Sequence, residues 1–220
     1  MDILVILAHP NPTSFNHSIA HMVIQTLEKG GHQITFHDLY AEVFNPVMPE
    51  EEISKNASVE PKIKRYCREL CTADGIVIVH PNWWGQPPAI LKGWIDRIFR
   101  PGMAYEFEEG DGGEVIPVGH LDGKTAIVLN TSNTDYDRAK EIFGDSLETL
   151  WKNCVFGLCG VTNFHRRNFS VICKSTKEQR KEWLNEVKGI IRQFFPDTGE
   201  RKPPIIDDDS DDDDNLNDEE

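Results

Sequence analysis

The sequence has no apolar run near the ~20 residues that a membrane-spanning helix requires. The run at residues 3–8 (ILVILA) ends at His9-Pro10. A secretory leader is equally unsupported: Asp2 stands where a basic start belongs, the apolar stretch is short, and no small-residue cleavage site follows. No membrane insertion is expected. An excess of basic residues is also missing. The 220 residues carry 23 Lys and Arg against 37 Asp and Glu, a formal charge of −14. Ten of those acids, and no base, fall in residues 207–220, which leaves 27 acids against 23 bases in residues 1–206. Nucleic-acid binding needs a concentrated basic face, so that class is set aside. The five cysteines are odd in number and lack zinc-site spacing, and they read as reduced thiols of a cytoplasmic protein. There is no G-x-G-x-x-G, no G-x-x-x-x-G-K-[ST], no G-x-S-x-G and no H-E-x-x-H, so neither a Rossmann turn, a Walker loop, a hydrolase elbow nor a zinc helix is indicated. His17 and His21 stand four apart at a helix start, and a solvated face accounts for them better than a metal.

What remains is an alternation of short apolar runs with amphipathic stretches. Buried strands are expected at residues 3–8, 33–38, 75–79, 125–129 and 162–171. Helices are expected at 14–29, 62–71, 89–99, 136–151 and 177–195, with Ile142, Leu147 and Leu150 turned inward in the fourth. Residues 100–123 are too rich in glycine to form a helix, and 45–61 form a surface connection with a turn of helix. Parallel strands need crossovers, so the fold class is α/β, a doubly wound five-stranded parallel sheet of order 2-1-3-4-5 over residues 1–200. Residues 201–220 are expected to be a disordered acidic tail, because ten like charges and little apolar surface cannot build a core.

In such a sheet a ligand sits beyond the carboxyl ends of the strands, where the strand order reverses. The three loops concerned are chemically unusual. The first, His9-Pro10-Asn11-Pro12-Thr13-Ser14-Phe15-Asn16, opens a helix with hydroxyl and amide groups, the place where free N–H groups favour an anion. A plain N-cap at Ser14 or Asn16 fits the spacing as well. The second, Pro81-Asn82-Trp83-Trp84-Gly85-Gln86-Pro87-Pro88, puts two adjacent Trp on a proline-stiffened loop. Either Trp alone could serve the core; together they suit a flat ligand. The third, Asn130-Thr131-Ser132-Asn133-Thr134, reads as a capped turn or as hydrogen-bonding groups for a polar ring edge.

LAHPNPTSFN at 7–16, DLYAEVFNP at 38–46, PNWWGQPPAILKGWIDRIF at 81–99 and the following Gly102-Met103-Ala104-Tyr105 resemble the flavodoxin-like NAD(P)H:quinone oxidoreductases. That group includes DT-diaphorase, the modulator-of-drug-activity reductases and the potassium-efflux ancillary reductases. The resemblance implies a homodimer that binds FAD or FMN and passes two electrons from NAD(P)H through the flavin to a quinone-like acceptor. It implies that His9, Thr13, Ser14, Phe15 and Asn16 hold the phosphate side chain of the flavin. By the same likeness Pro81, Asn82, Trp83 and Trp84 line its ring, and Thr131, Ser132, Asn133 and Thr134 meet its pyrimidine edge. Tyr105 matches a tyrosine that closes over the substrate from the dimer partner. The alternative that the resemblance allows is a regulatory flavoprotein gating a partner such as a potassium-efflux transporter. The sequence also departs from the pattern. Asp137 and Phe143 occupy the positions of a Tyr…His pair, Thr131–Thr134 replace a T-T-G-G turn, and the long C-terminal extension is missing.

Overall fold

A computed structural model describes residues 1–54, 57–109 and 113–199; the expected acidic tail at 201–220 lies outside the described residues. The elements run β1 (Asp2–Leu7), α1 (Phe15–Lys29), β2 (Gln33–Asp38), α2 (Pro61–Thr72), β3 (Gly75–Pro81), α3 (Ala89–Ile98), β4 (Tyr105–Glu109), β5 (Val115–Gly119), β6 (Thr125–Thr131), α4 (Tyr136–Phe143), α5 (Ser146–Glu148), β7 (Asn163–Phe169) and α6 (Lys177–Phe194). A 3₁₀ turn at Glu50–Glu52 lies in the connection after β2, and α5 runs on as a π-helix over Thr149–Gly157.

Five strands pair in parallel in the order β2-β1-β3-β6-β7. In sheet strands alone this is the expected 2-1-3-4-5. The period of two along β1 explains the layers. Leu4 and Ile6 pack with α2, α3 and the π-helix on one face, while Ile3, Val5 and Leu7 pack with α1 and α6 on the other. β3 and β6 are buried along their whole length, which is why they read as unbroken apolar runs.

Among the described residues, 100–123 form no helix, as expected, and the helix expected at 136–151 is corrected. Within residues 100–123 the structure forms an antiparallel ribbon, β4 with β5, in the register Tyr105↔Gly119 through Glu109↔Val115. Along β4 apolar and acidic residues alternate from Tyr105 to Glu108, whereas β5 (VIPVG) shows no alternation. The single helix over 136–151 is instead three pieces. Gly144, at φ 69° and ψ −174°, takes a backbone conformation that only glycine adopts readily, and so ends α4. Asp135 and Asp145 then cap two separate starts, accepting from the N–H of Arg138 and of Glu148. Leu147 is buried and Leu150 half-buried, whereas Ile142 is exposed, because α4 contributes no residue to the core.

His80, completely buried near the end of β3, ties the sheet to the π-helix. Trp151 Nε1 donates to His80 Nε2 at 3.0 Å, which fixes the hydrogen on Nδ1, and Nδ1 donates to the Pro81 carbonyl at 2.9 Å. Burial pushes its pKa down from 6.5 to about 4, against the weaker opposing effect of the Pro81 bond. The folded state therefore resists a proton that the unfolded chain accepts. The stabilisation is whole above about pH 6.5 and declines as pH falls toward 4, by about 3 kcal/mol in all. A His80→Gln variant keeps an acceptor and a donor without the titration. Its urea-unfolding free energy should fall less steeply than wild type between those pH values; parallel curves would refute the assignment.

Candidate functional site

The carboxyl ends of β1, β3 and β6 open into a cleft of about 1190 Å³. It is lined from the first loop by His9, Thr13, Ser14, Phe15 and Asn16, from the second by Pro81, Asn82, Trp83 and Trp84, and from the third by Thr131, Ser132, Asn133 and Thr134. The three loops singled out in the sequence thus meet in space. Tyr105 does not line the cleft. It lies half-buried at the start of β4 with its ring edge-on to Phe107.

Each wall has a local cause. The Asn11 side chain accepts from the Thr13 N–H at 2.9 Å and from its hydroxyl at 2.8 Å, and the Ser14 N–H donates to the Asn11 carbonyl at 3.0 Å. That turn presents the N-terminus of α1 to the cleft, with Ser14 as N-cap. His9 Nδ1 accepts from the Asn11 N–H at 3.1 Å. Burial lowers the His9 pKa, partly opposed by that bond, so the ring is neutral at physiological pH. Asn16 Nδ2 donates to Thr131 Oγ1 at 2.9 Å and joins the first loop to the third.

The tryptophan loop is a tight two-residue turn. Trp83 and Gln86 exchange both backbone hydrogen bonds at 3.0 Å, and the residues between, Trp84 and Gly85, have φ of 56° and 74°. Glycine adopts that geometry freely, whereas Trp84 is strained there and its side chain is fully exposed. The Ser146 hydroxyl donates to the Gly85 carbonyl at 2.6 Å and fastens the turn to α5. Trp83 lies with its ring centroid 6.2 Å from that of His9.

Two buried side-chain oxygens of the cleft, Asn16 Oδ1 and Asn82 Oδ1, have no hydrogen-bond partner. A buried acceptor left unpaired is costly, and in a concave site it points to a ligand that brings a donor. The cleft therefore suits a ligand with an anionic end at the α1 N-terminus, hydroxyl or N–H donors along its length, and a flat ring beside the tryptophans.

The structure adds lining residues that the strand-end argument misses: Tyr136, Lys140, Phe143 and Asp145 from the α4–α5 wall, Arg166 and Asn168 from β7, and Arg180 from α6. Arg166 was detectable as an arginine inside an expected strand. Its guanidinium bonds Asp145, Glu148 Oε2 (2.8 Å) and Asn130 Oδ1 (2.9 Å), which locks the α4–α5 wall to the sheet. The Tyr136 hydroxyl donates to Asp145 at 2.9 Å, and that bond raises its pKa, with burial adding to it. Arg180 lies over the Phe15 ring at 5.8 Å and donates to Ser175 Oγ and the Ile172 carbonyl. Nothing in its local sequence separates it from the other bases of that helix.

Residues 1–189 match the family described by the flavodoxin-like fold. The chain is 35% identical over 188 residues to an uncharacterized NAD(P)H oxidoreductase of Haemophilus influenzae, covering 84% of this chain and 91% of that one. It is 27% identical over 218 residues to the mouse (Mus musculus) ribosyldihydronicotinamide dehydrogenase [quinone], covering 87% and 92%. The crystal structure of Smu.1420 from Streptococcus mutans superimposes with a TM-score of 0.77 at 34% identity, over 88% of this chain and all of that one.

The α4–α5 wall depends on Gly144. A Cβ there meets nothing within 4 Å, so Gly144→Ala tests the backbone alone. The variant should lose about 1–3 kcal/mol in chemical denaturation. Unchanged stability would show that the break after α4 does not require glycine.

Proposed function

The chain belongs to the flavodoxin-like NAD(P)H:quinone oxidoreductase family, and on that premise we propose that it is a cytoplasmic, flavin-dependent enzyme that oxidises NAD(P)H and reduces a quinone-like acceptor. The observation that carries this reading is the meeting, in one cleft, of two buried unpaired acceptors, a helix N-terminus and a tryptophan turn. When bound, FMN or FAD supplies a ring that takes a hydride from NAD(P)H and delivers two electrons onward.

The protein residues bind and orient. The first-turn N–H groups of α1 and the Ser14 hydroxyl would hold the phosphate, with Thr13 shaping the turn beside it through its two bonds to Asn11, and Asn16 Oδ1 would take a hydroxyl of the chain that links it to the ring. Neutral His9 adds a hydrogen bond at the same end. Asn82 Oδ1 would accept an N–H of the ring, and Pro81, Trp83 and Trp84 would border it and exclude water from one edge. Thr131, Ser132, Asn133 and Thr134 would border the pyrimidine edge of the ring and meet negative charge there with loop dipoles already in place. Asn168 Nδ2 donates to Ser132 Oγ at 3.3 Å and the Ser132 hydroxyl donates to the Thr134 carbonyl at 3.1 Å, which holds the third loop in shape. Asp137 and Phe143 supply no Tyr–His pair on α4.

Activity is tested by initial rates of NADPH oxidation with menadione. A ping-pong pattern is expected, because both substrates use one slot beside the ring. In the double variant Ser14→Ala, Asn16→Ala, each lost bond to a charged or buried group is worth roughly 1.5–3 kcal/mol. Flavin affinity should fall by about two to four orders of magnitude. Tight flavin binding in that variant would refute the placement. Full flavin with negligible turnover in wild type would favour the regulatory alternative.

A homodimer belongs to the same reading. Phe107, Val115 and Ile116 on the ribbon, and Trp84 and Phe143 at the cleft, are all exposed in the single chain. Tyr105 reaches no cleft of its own chain and would close that of a second copy. Light scattering of active protein should give twice the chain mass of 25.1 kDa; an active monomer would contradict the pairing.

A further inference from the structure

Three residues from two elements form a hydrogen-bonded line at the anionic end of the cleft. Ser14 Oγ lies 3.0 Å from His17 Nδ1, and His17 Nε2 lies 3.1 Å from Asp38 Oδ2 at the end of β2. All three are partly buried, and Ser14 lines the cleft. In the sequence His17 reads as part of a solvated face; in the structure its side chain retains 20% exposure and is held at both nitrogens.

The direction of each bond follows from the donors available. A carboxylate only accepts, so the hydrogen between His17 and Asp38 sits on Nε2. With a neutral ring, Nδ1 is bare and takes the hydrogen of the Ser14 hydroxyl. Ser14 Oγ, which also accepts from the His17 N–H at 3.4 Å, then has no hydrogen left for the cleft, only a lone pair that repels an anion. With a protonated ring, Nδ1–H donates to Ser14 Oγ instead, and the hydroxyl hydrogen is free to point at the ligand. The orientation of Ser14 toward an anion is thus decided by one proton on His17.

That an anionic ligand belongs here is supported by a second group. Asn16, 3% exposed and two residues from the N-cap, keeps its Oδ1 without a partner while its Nδ2 is spent on Thr131. An unpaired acceptor beside an N-terminus fits a phosphate monoester of a polyhydroxy chain, where the ester supplies charge and the next carbon a hydroxyl donor.

We propose that His17 is a proton-linked positioning residue: binding of the phosphate monoester draws one proton from solvent onto its ring, and Asp38 and the bound anion hold that imidazolium while the freed Ser14 hydroxyl donates to the phosphate. This rests on the cleft binding a flavin phosphate, as proposed above. The groups facing His17 are Asp38 from the end of β2, Ser14 from its own helix, and His9 from the end of β1 at a ring separation of 6.3 Å. His9 is the poorer site for the proton, since burial lowers its pKa. On α6, Arg180 lies over Phe15 and supplies a second cation to the same end. Anion binding and proton binding at His17 are then reciprocal, each strengthening the other by the same factor.

The test is calorimetric titration of flavin-free protein with FMN at about pH 7.5, in two buffers of different ionisation enthalpy. A phosphate monoester is already almost wholly dianionic there, so proton uptake belongs to the protein. Wild type should take up about half a proton or more per FMN, and affinity should weaken as pH rises, approaching tenfold per unit. His17→Gln, which keeps a hydrogen bond to Ser14 without titrating, should take up almost none, and its affinity should be nearly flat with pH. Riboflavin, which lacks the phosphate, should bind without uptake. FMN binding without uptake in wild type, or equal uptake in His17→Gln, would overturn the role of His17 and leave the flavin site standing. No FMN binding at all would overturn both.

Discussion

A parallel strand cannot be joined to the next by a tight turn, and the architecture follows from that constraint. Every connection must cross a face of the sheet, so all strands finish at the same edge. The chain places β2 on one side of β1 and β3 on the other, which opens a gap between the first and second crossovers. Into that gap run the loops after β1, β3 and β6. Residues separated by more than a hundred positions, such as Asn16 and Thr131, come within hydrogen-bond reach there.

The same logic explains which parts of the sequence were readable. β1, β3 and β6 are buried on both faces and have no solvent side on which to place polar residues, so they stand out as apolar runs. The strand ends could then be located, and with them the loops holding His9 to Asn16, Pro81 to Trp84 and Thr131 to Thr134. The family likeness rests on the same places, since LAHPNPTSFN and PNWWGQPPAILKGW fall on the first two loops.

The rest depended on contacts that leave no local trace. Arg97 and Glu52 are both buried and bonded to each other across 45 residues, and nothing periodic marks either one. Together with the Arg97 bond to the Asn45 carbonyl, they pin the connection after β2 onto α3. The break at Gly144 was hidden because residues 136–151 keep a helical apolar spacing through it. What separates α4 from α5 is a backbone conformation and two aspartate caps. The ribbon of β4 and β5 was hidden for a different reason: β4 alternates but β5 does not, and the ribbon joins the rest of the chain at its base, where the His120 N–H meets the Ala104 carbonyl and the Leu121 N–H meets the Cys159 carbonyl. Tyr105, carried by that ribbon, is the one expected site residue that the single chain leaves outside the cleft.

The central claim is that this cleft exists to hold one flavin per chain. The most direct measurement is the visible absorption of purified protein, followed by titration of flavin-free protein with FMN and FAD. The account predicts a bound yellow chromophore, or saturation at one FMN or FAD per chain with quenching of Trp83 and Trp84 fluorescence. A colourless protein that takes up neither flavin at micromolar concentration would contradict it.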